Sequence, residues 1–218
     1  MENRPLEYDY TVAKWFMFSS IVLGIVGMLI GVIIAFQLAF PGLNVLIPGL
    51  EEYTNFSRLR PLHTDAVIFG FLVSGIFSTW YYVGQRVLKV SMAESGFLMF
   101  IAKLQFFLYM IGVVLIVGSL FMGITTSKEY AEFEWPIDIA IVIIWVLWGV
   151  SIFGLIGIRR EKSLYISVWY YIATFLGVAM LYLFNNMEVP TMLATSPAGE
   201  TGIGSMMHSV SMLSLIHI

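Results

Sequence analysis

The sequence contains no cysteine, and this absence excludes several kinds of chemistry. Without thiols the chain forms no disulfide, no thiolate metal site and no cysteine-ligated iron–sulfur cluster. It also lacks the C-x-x-C-H motif that attaches a c-type haem covalently. Any haem that this chain binds must therefore be held without a covalent link.

Charged residues are also scarce. They make up 11% of the 218 residues, whereas hydrophobic residues make up 59% and the mean hydropathy is +0.89. An ordinary soluble domain has about 25% charged residues, so this composition predicts an integral membrane protein in contact with lipid. No dense basic patch is present, which excludes nucleic acid as a partner. The motifs of phosphate loops, serine hydrolases and zinc proteases are missing too, which disfavours nucleotide and hydrolase chemistry.

Five apolar runs are long enough to cross a membrane as helices, and we expect an all-α membrane protein. The runs predict helices at about 12–40, 62–83, 96–123, 136–158 and 164–186. The turn pairs Pro41-Gly42 and Pro48-Gly49 predict a loop from Pro41 to Leu62. Gly27 and Gly31 lie one turn apart in the first run, which is typical of close helix packing. The second run ends in Trp80-Tyr81-Tyr82, which we interpret as an aromatic anchor at the membrane interface.

The basic residues are divided unevenly between the two sides that alternating spans define. The side of the N-terminus has eight of them and the other side has three. Because basic loops favour the cytoplasm, we expect the N-terminus to be cytoplasmic. The eight are Arg4, Lys14, Arg86, Lys89, Lys103, Arg159, Arg160 and Lys162, and the three are Arg58, Arg60 and Lys128.

A single histidine, His63, lies at the start of the second apolar run, behind Arg58 and Arg60. Ionisable groups are costly in hydrocarbon and are usually retained there for a task. A histidine one turn inside the membrane, with guanidinium groups at the rim, suits an axial haem ligand whose propionates reach the arginines. The alternative is that His63 only caps or bridges neighbouring helices.

The most acidic loop of the chain contains Glu129, Glu132 and Glu134. Such a run is usually a solvated face. Alternatively, these carboxylates balance the arginines, bind a cation near haem propionates or pass protons. The remaining histidines, His208 and His217, are expected to be a loop residue and a chain-end residue without a functional role.

Several long stretches resemble one family when they are taken together. They are IGVIIAFQLAFP at 30–41, RPLHTDAVIFGF at 60–71, KEYAEFEWPIDI at 128–139 and LFNNMEVP at 183–190. They resemble the catalytic subunit (subunit I) of cbb(3)-type cytochrome c oxidases, the C-type haem-copper oxygen reductases, from about Tyr8 to Met212. The family has a core of about twelve transmembrane helices, of which the five runs would be the first.

The resemblance implies a terminal oxidase of the bacterial inner membrane. Such an enzyme reduces oxygen to water with electrons from c-type cytochrome subunits of the same complex, and it moves protons across the membrane. His63 corresponds to one of two axial ligands of the low-spin haem b, and Arg60 to an arginine beside the haem propionates. The family has asparagine where this chain has Asp65, which adds a potential charge two residues from the ligand.

The resemblance also implies what lies beyond this chain. In the family, the second ligand of the low-spin haem, the ligand of the high-spin haem b(3), the three copper-binding histidines and the redox tyrosine lie after the point where this chain stops. The resemblance therefore implies that the 218-residue chain contains no catalytic residue and is inactive alone. The end at 213–218 departs from the family pattern and is expected to be non-native. Two other interpretations stay open: a nitric oxide reductase-like member of the superfamily, and a non-redox membrane transporter or scaffold.

Overall fold

The computed structural model describes residues 7–45, 49–125, 132–186, 188–190 and 209–211. The described part is dominated by seven α-helices and a π-helical segment, Ala66–Leu72, which joins α3 to α4. Within these ranges, five long helical stretches are apolar enough to cross a membrane, as the sequence predicts. The α-helices are α1 Thr11–Ala39, α2 Glu51–Thr54, α3 Phe56–Asp65, α4 Val73–Leu88, α5 Gly96–Met122, α6 Trp135–Gly157 and α7 Ile166–Asn185.

The described residues also include short 3-10 turns and strands. Two 3-10 turns, Pro41–Val45 and Met92–Glu94, lie in the connections after α1 and α4. Two three-residue strands, β1 Glu188–Pro190 and β2 Ser209–Ser211, pair antiparallel, with Val189 opposite Val210. The transmembrane helices are thus the dominant structure, and the predicted all-α class is confirmed.

The second span is longer than its hydropathy predicts. It is helical from Phe56 to Leu88, so the prediction of a loop as far as Leu62 is wrong. Asn55 caps the helix, because its side-chain oxygen accepts a hydrogen bond from the backbone N–H of Arg58 at 3.1 Å. Pro61 lies inside α3 and removes one backbone donor there. Burial of Leu59 and Leu62 offsets this cost.

Helix α1 packs along the whole of the second span, and its glycines allow the close approach. A Cβ atom at Gly27 would lie 3.0 Å from Val67 Cγ2 and 3.2 Å from the Cβ of Ala66. These distances are shorter than ordinary van der Waals contact. The predicted role of Gly27 in helix packing is therefore confirmed.

In the described part of the chain, two apolar clusters form the interior, and each lies toward one end of the bundle. The larger cluster includes Phe16, Phe77, Trp148 and the neighbouring pair Trp80 and Tyr81. Trp80 and Tyr81 are 0% and 1% exposed, so the prediction that they anchor the helix at the membrane interface is wrong. The smaller cluster is built on Leu59, Leu62, Leu120 and Phe133.

We call the end of the bundle with the two basic loops the basic end. There Lys89 Nζ lies 2.6 Å from Glu161 Oε2, and Arg160 lies 2.9 Å from Glu94. The backbone N–H of Arg160 also donates to the carbonyl of Leu88 at 3.0 Å. These contacts hold the loop after α4 against the loop after α6. Both loops therefore lie at one end, as alternating spans require.

The Lys89–Glu161 ion pair changes the pKa of both groups. The hydrogen bond and charge of Lys89 lower the pKa of the Glu161 carboxyl, and the same pairing raises the pKa of Lys89. Both side chains therefore stay charged over a wider range of pH on either side of neutrality. The pair is exposed to solvent, so its effect on stability is small and is screened by salt.

A histidine site between the first two spans

His63 occupies the opposite end of the bundle, which we call the histidine end. It is the eighth residue of α3, roughly 10 Å along the helix axis from Phe56 at 1.5 Å per residue. Its Nδ1 lies 2.7 Å from the backbone carbonyl oxygen of Gly27 in α1. Because a carbonyl oxygen only accepts hydrogen bonds, Nδ1 carries the proton and donates. The lone pair of the neutral imidazole is therefore on Nε2.

Gly31 provides the space for the imidazole ring. A Cβ atom at Gly31 would lie 2.7 Å from Cε1 of His63, 3.0 Å from Nδ1 and 3.3 Å from Nε2. The ring thus lies directly against the backbone of α1, with no side chain in between. The spacing of Gly31 predicts helix packing alone, and the structure adds a contact with the candidate ligand. The one-turn spacing of Gly27 and Gly31 was the signal of this close approach, but the sequence did not show which residue approaches them.

The structure separates the two arginines that precede His63. Arg60 is three residues before His63 in a helix, so the two share a face, and Arg60 is exposed. Arg58 is five residues before His63 and points elsewhere. Its guanidinium occupies the position that a Cβ at Gly123 would take. Gly123 ends α5 with a φ of 73°, so Arg58 places its positive charge at a helix C-terminus, where a cation is stabilised.

Asp65 faces away from the imidazole. Two residues of an α-helix are about 200° apart around its axis, and Asp65 lines a cavity of about 420 Å³ that His63 does not line. The cavity is otherwise almost wholly apolar, with Tyr109 and Tyr182 among its lining residues. Asp65 is 3% exposed, and neither carboxyl oxygen has a hydrogen-bond partner among the described residues. The Asp65 carboxyl is therefore directed into this cavity.

The acidic loop is buried where the structure describes it. Glu132 and Glu134 are 9% and 3% exposed, so the interpretation of a solvated face is wrong for these two residues. Glu132 is close enough to Asp65 for an electrostatic interaction. Among the described residues, no group of three or more His, Cys, Asp or Glu side chains is placed to hold a metal ion. Glu129, His208 and His217 lie outside the described residues.

One polar contact near this end was not predicted from the sequence. The Tyr182 hydroxyl donates to Asp138 Oδ1 at 2.6 Å, which joins α7 to α6. From the sequence alone, Asp138 indicates only a favourable charge in the first turn of its helix. Both residues lie in apolar runs, and no sequence pattern around Tyr182 indicates a hydrogen-bond partner in another helix. This pair therefore became visible only with the tertiary structure.

These features define a class of protein: a multi-span helical membrane protein whose second span presents a histidine oriented by the backbone of the first. The family model described as "Cytochrome C and Quinol oxidase polypeptide I" matches residues 11–213. The chain belongs to this family, the haem-copper oxidase subunit I proteins, which carry haem and copper. The resemblance stated from the sequence is confirmed.

Curated relatives agree with this assignment. The chain is 44% identical over 183 residues to the cbb3-type cytochrome c oxidase subunit CcoN1 of Stutzerimonas stutzeri. The matched region covers 84% of this chain and 37% of the relative. It is 36% identical over 187 residues to a cytochrome c oxidase subunit 1 homolog of Agrobacterium tumefaciens, covering 86% and 33%. Cytochrome c oxidase subunit 1 of Rhodobacter capsulatus is 36% identical over 184 residues, covering 84% and 34%. The chain thus spans about a third of the length of these relatives.

Proposed function

We propose that this chain is the N-terminal part of the catalytic subunit of a cbb(3)-type terminal oxidase. The full-length protein would reduce oxygen to water with electrons from c-type cytochromes and move protons across the bacterial inner membrane. The identity to CcoN1 supports this proposal at the level of the whole subunit. The observation that carries it for the chain itself is the oriented imidazole of His63.

His63 is proposed to be an axial ligand of a low-spin, non-covalently bound haem b. A ligating histidine usually donates its second ring N–H to a backbone carbonyl or a carboxylate, which fixes the ring and makes the ligand more basic. The hydrogen bond from Nδ1 to Gly27 has this form and leaves Nε2 for the iron. The bare backbone at Gly31 gives the ring its room. When bound, the haem would accept and pass on one electron at a time.

The two arginines receive different roles in this proposal. Arg60 shares the face of His63 and is proposed to neutralise a haem propionate. Arg58, for which we expected the same role, is proposed instead to stabilise the end of α5 against Gly123. The positive charge of Arg60 near the iron would favour the reduced haem, because it stabilises the added electron.

The buried acidic residues at the histidine end are proposed to serve charge balance or proton transfer. Glu132 and Glu134 are removed from solvent. Buried carboxylates in a membrane protein are costly, so they are usually retained for a task. Glu129 belongs to the same sequence cluster and to the same proposal, although it lies outside the described residues.

We place the N-terminus and the basic end in the cytoplasm, and the histidine end toward the outer surface. Electrons from c-type cytochrome subunits would then reach haem b from outside the membrane. The high-spin haem b(3) and copper are proposed for the full-length subunit alone. The 218-residue chain offers one candidate axial histidine on a described helix, which cannot complete a bis-histidine site.

The proposal is tested in the full-length subunit by replacing His63. The His63→Ala variant should lose the low-spin b signal in a reduced-minus-oxidised spectrum, whereas a non-redox membrane protein would show no such signal in the wild type. Arg60→Ala should retain the signal but lower its midpoint potential, because a positive charge near the iron is lost. A contact of this charge-assisted kind contributes about 1.5–3 kcal/mol.

The control for Arg60→Ala is Arg159→Ala. Arg159 is exposed at the basic end, where its guanidinium donates to the carbonyl of Ile156. This substitution removes the same charge far from His63 and should leave the haem potential unchanged. An unaltered low-spin spectrum and redox titration in His63→Ala would show that His63 is not the ligand.

A further inference from the structure

The second span changes its hydrogen-bond pattern directly after the histidine site. The π-helical segment Ala66–Leu72 begins three residues after His63. At its end, the backbone N–H of Val73 donates to the carbonyl of Ile68, five residues earlier. π-helical turns are rare in proteins, and those that occur are often found at functional sites.

Hydroxyl groups from three helices donate to consecutive carbonyls of this segment. The Tyr109 hydroxyl in α5 lies 2.5 Å from the carbonyl oxygen of Phe69 and 3.0 Å from that of Gly70. Ser20 in α1 donates to the carbonyl of Phe71 at 2.8 Å. Ser74 in α4 donates to the carbonyl of Gly70. Tyr109 and Ser20 therefore attach the π-helical segment to helices on either side of it.

The segment determines which way the two halves of the span face. One extra residue in a helical turn rotates everything beyond it by about 100° relative to a continuous α-helix. Before the segment, His63 faces Gly27 and Gly31 of α1. After it, Phe77 and Tyr81 face the larger apolar cluster. Both halves face their partners at once only while the segment keeps its π-helical form.

We propose that Tyr109 is a positioning residue for His63, acting through the π-helical segment, with Ser20 in the same role from α1. This inference rests on the proposed function of His63 as a haem ligand. The Tyr109 hydroxyl lies within hydrogen-bond distance of two carbonyl oxygens of the segment and stabilises its π-helical form. The segment fixes the orientation of α3. The direction of α3 in turn fixes the hydrogen bond from Nδ1 of His63 to Gly27, which controls the basicity of the imidazole.

The test is Tyr109→Phe in the full-length subunit within its complex. The ring should remain packed against Phe16 and Phe77, whose ring centroids lie 5.6 and 5.8 Å away, so only the hydroxyl is removed. Amide hydrogen exchange of peptides covering 66–73 should become faster. A weaker Nδ1 hydrogen bond makes the ligand less basic, so the midpoint potential of the low-spin haem should rise. At a fixed ambient potential the ratio of reduced to oxidised haem should increase by about two- to tenfold, the factor that one hydrogen bond contributes.

The matched control is Tyr81→Phe. Tyr81 is as deeply buried as Tyr109, but its hydroxyl contacts the side chains of Gln105 and Ser151 and not the π-helical segment. This variant should keep the wild-type potential. An equal shift in Tyr81→Phe would overturn the proposal, because the effect would then be a general disturbance of the core. Should Tyr109→Phe not assemble, Ser20→Ala provides the same test, with the same expected signs.

The outcomes separate this inference from the proposed function. Unchanged hydrogen exchange in Tyr109→Phe would overturn the inference without any reference to haem. Faster exchange with an unchanged potential and an unchanged low-spin band would overturn it as well, because the segment would then not position His63. Retention of the low-spin signal in His63→Ala would instead overturn the proposed function.

Discussion

Replacing Gly31 by alanine should displace the His63 imidazole and disturb the haem that we propose it ligates. The added Cβ would lie 2.7 Å from Cε1 of His63, whereas ordinary contacts begin at 3.4 Å. The ring would have to move by about 0.7 Å to restore an ordinary contact. A metal–imidazole bond is only about 2 Å long, so a ligand displaced this far cannot keep its geometry.

The fold should survive this substitution. Overpacking costs about 1–3 kcal/mol, while alanine is favoured over glycine inside a helix by about 1 kcal/mol. The net loss of stability is therefore small, and the variant protein should accumulate in membranes. We expect its low-spin b band to be weakened and shifted, and its midpoint potential to differ from that of the wild type. The measurement is a reduced-minus-oxidised spectrum with a redox titration on membranes.

Gly118→Ala is the matched control for this experiment. Gly118 lies inside α5, and a Cβ there would meet nothing within 4 Å. The Gly118→Ala substitution should leave the low-spin spectrum and the midpoint potential unchanged. A Gly31→Ala protein with the wild-type low-spin band and the wild-type potential would refute the reasoning that the contact between α1 and His63 positions a haem ligand.

Three further predictions concern the topology, the basic end and the chain alone. Reporter fusions after Lys89 and Lys162 should be cytoplasmic and fusions near Glu132 periplasmic, and the reverse pattern would contradict the proposed orientation. The pKa of Glu161 is lowered and that of Lys89 is raised, so their pairing stabilises the protein at neutral pH and is lost as the pH falls through the lowered pKa of Glu161. The small difference in Tm between wild type and Lys89→Ala should therefore shrink in acid, and a constant difference would disprove this role. The purified 218-residue chain should show no oxygen uptake with a reduced cytochrome donor, and measurable uptake would refute its inactivity.

The sequence determined the class of the protein because hydropathy and length are properties of each segment by itself. Four of the five spans begin and end within two residues of their predicted positions. The second span is the exception, since the start of α3 depends on the cap at Asn55 and not on apolar composition. The pattern RPLHT indicated His63 as a candidate haem ligand, which stays a prediction, and it did not identify Gly27 as the hydrogen-bond partner of the imidazole.

The tertiary structure alone decided which way each side chain faces. Lipid and protein interior are both apolar, so composition could not show that Trp80 and Tyr81 are buried in the core. Neighbours in sequence diverge around a helix, which is why Arg58 and Asp65 point away from His63. The π-helical segment also rotates the side chains that follow it around the helix axis by about 100°, the angle of one residue in an α-helix. That shift depends on hydroxyl groups of Tyr109 and Ser20 in other helices, and no local pattern in the sequence records such a contact.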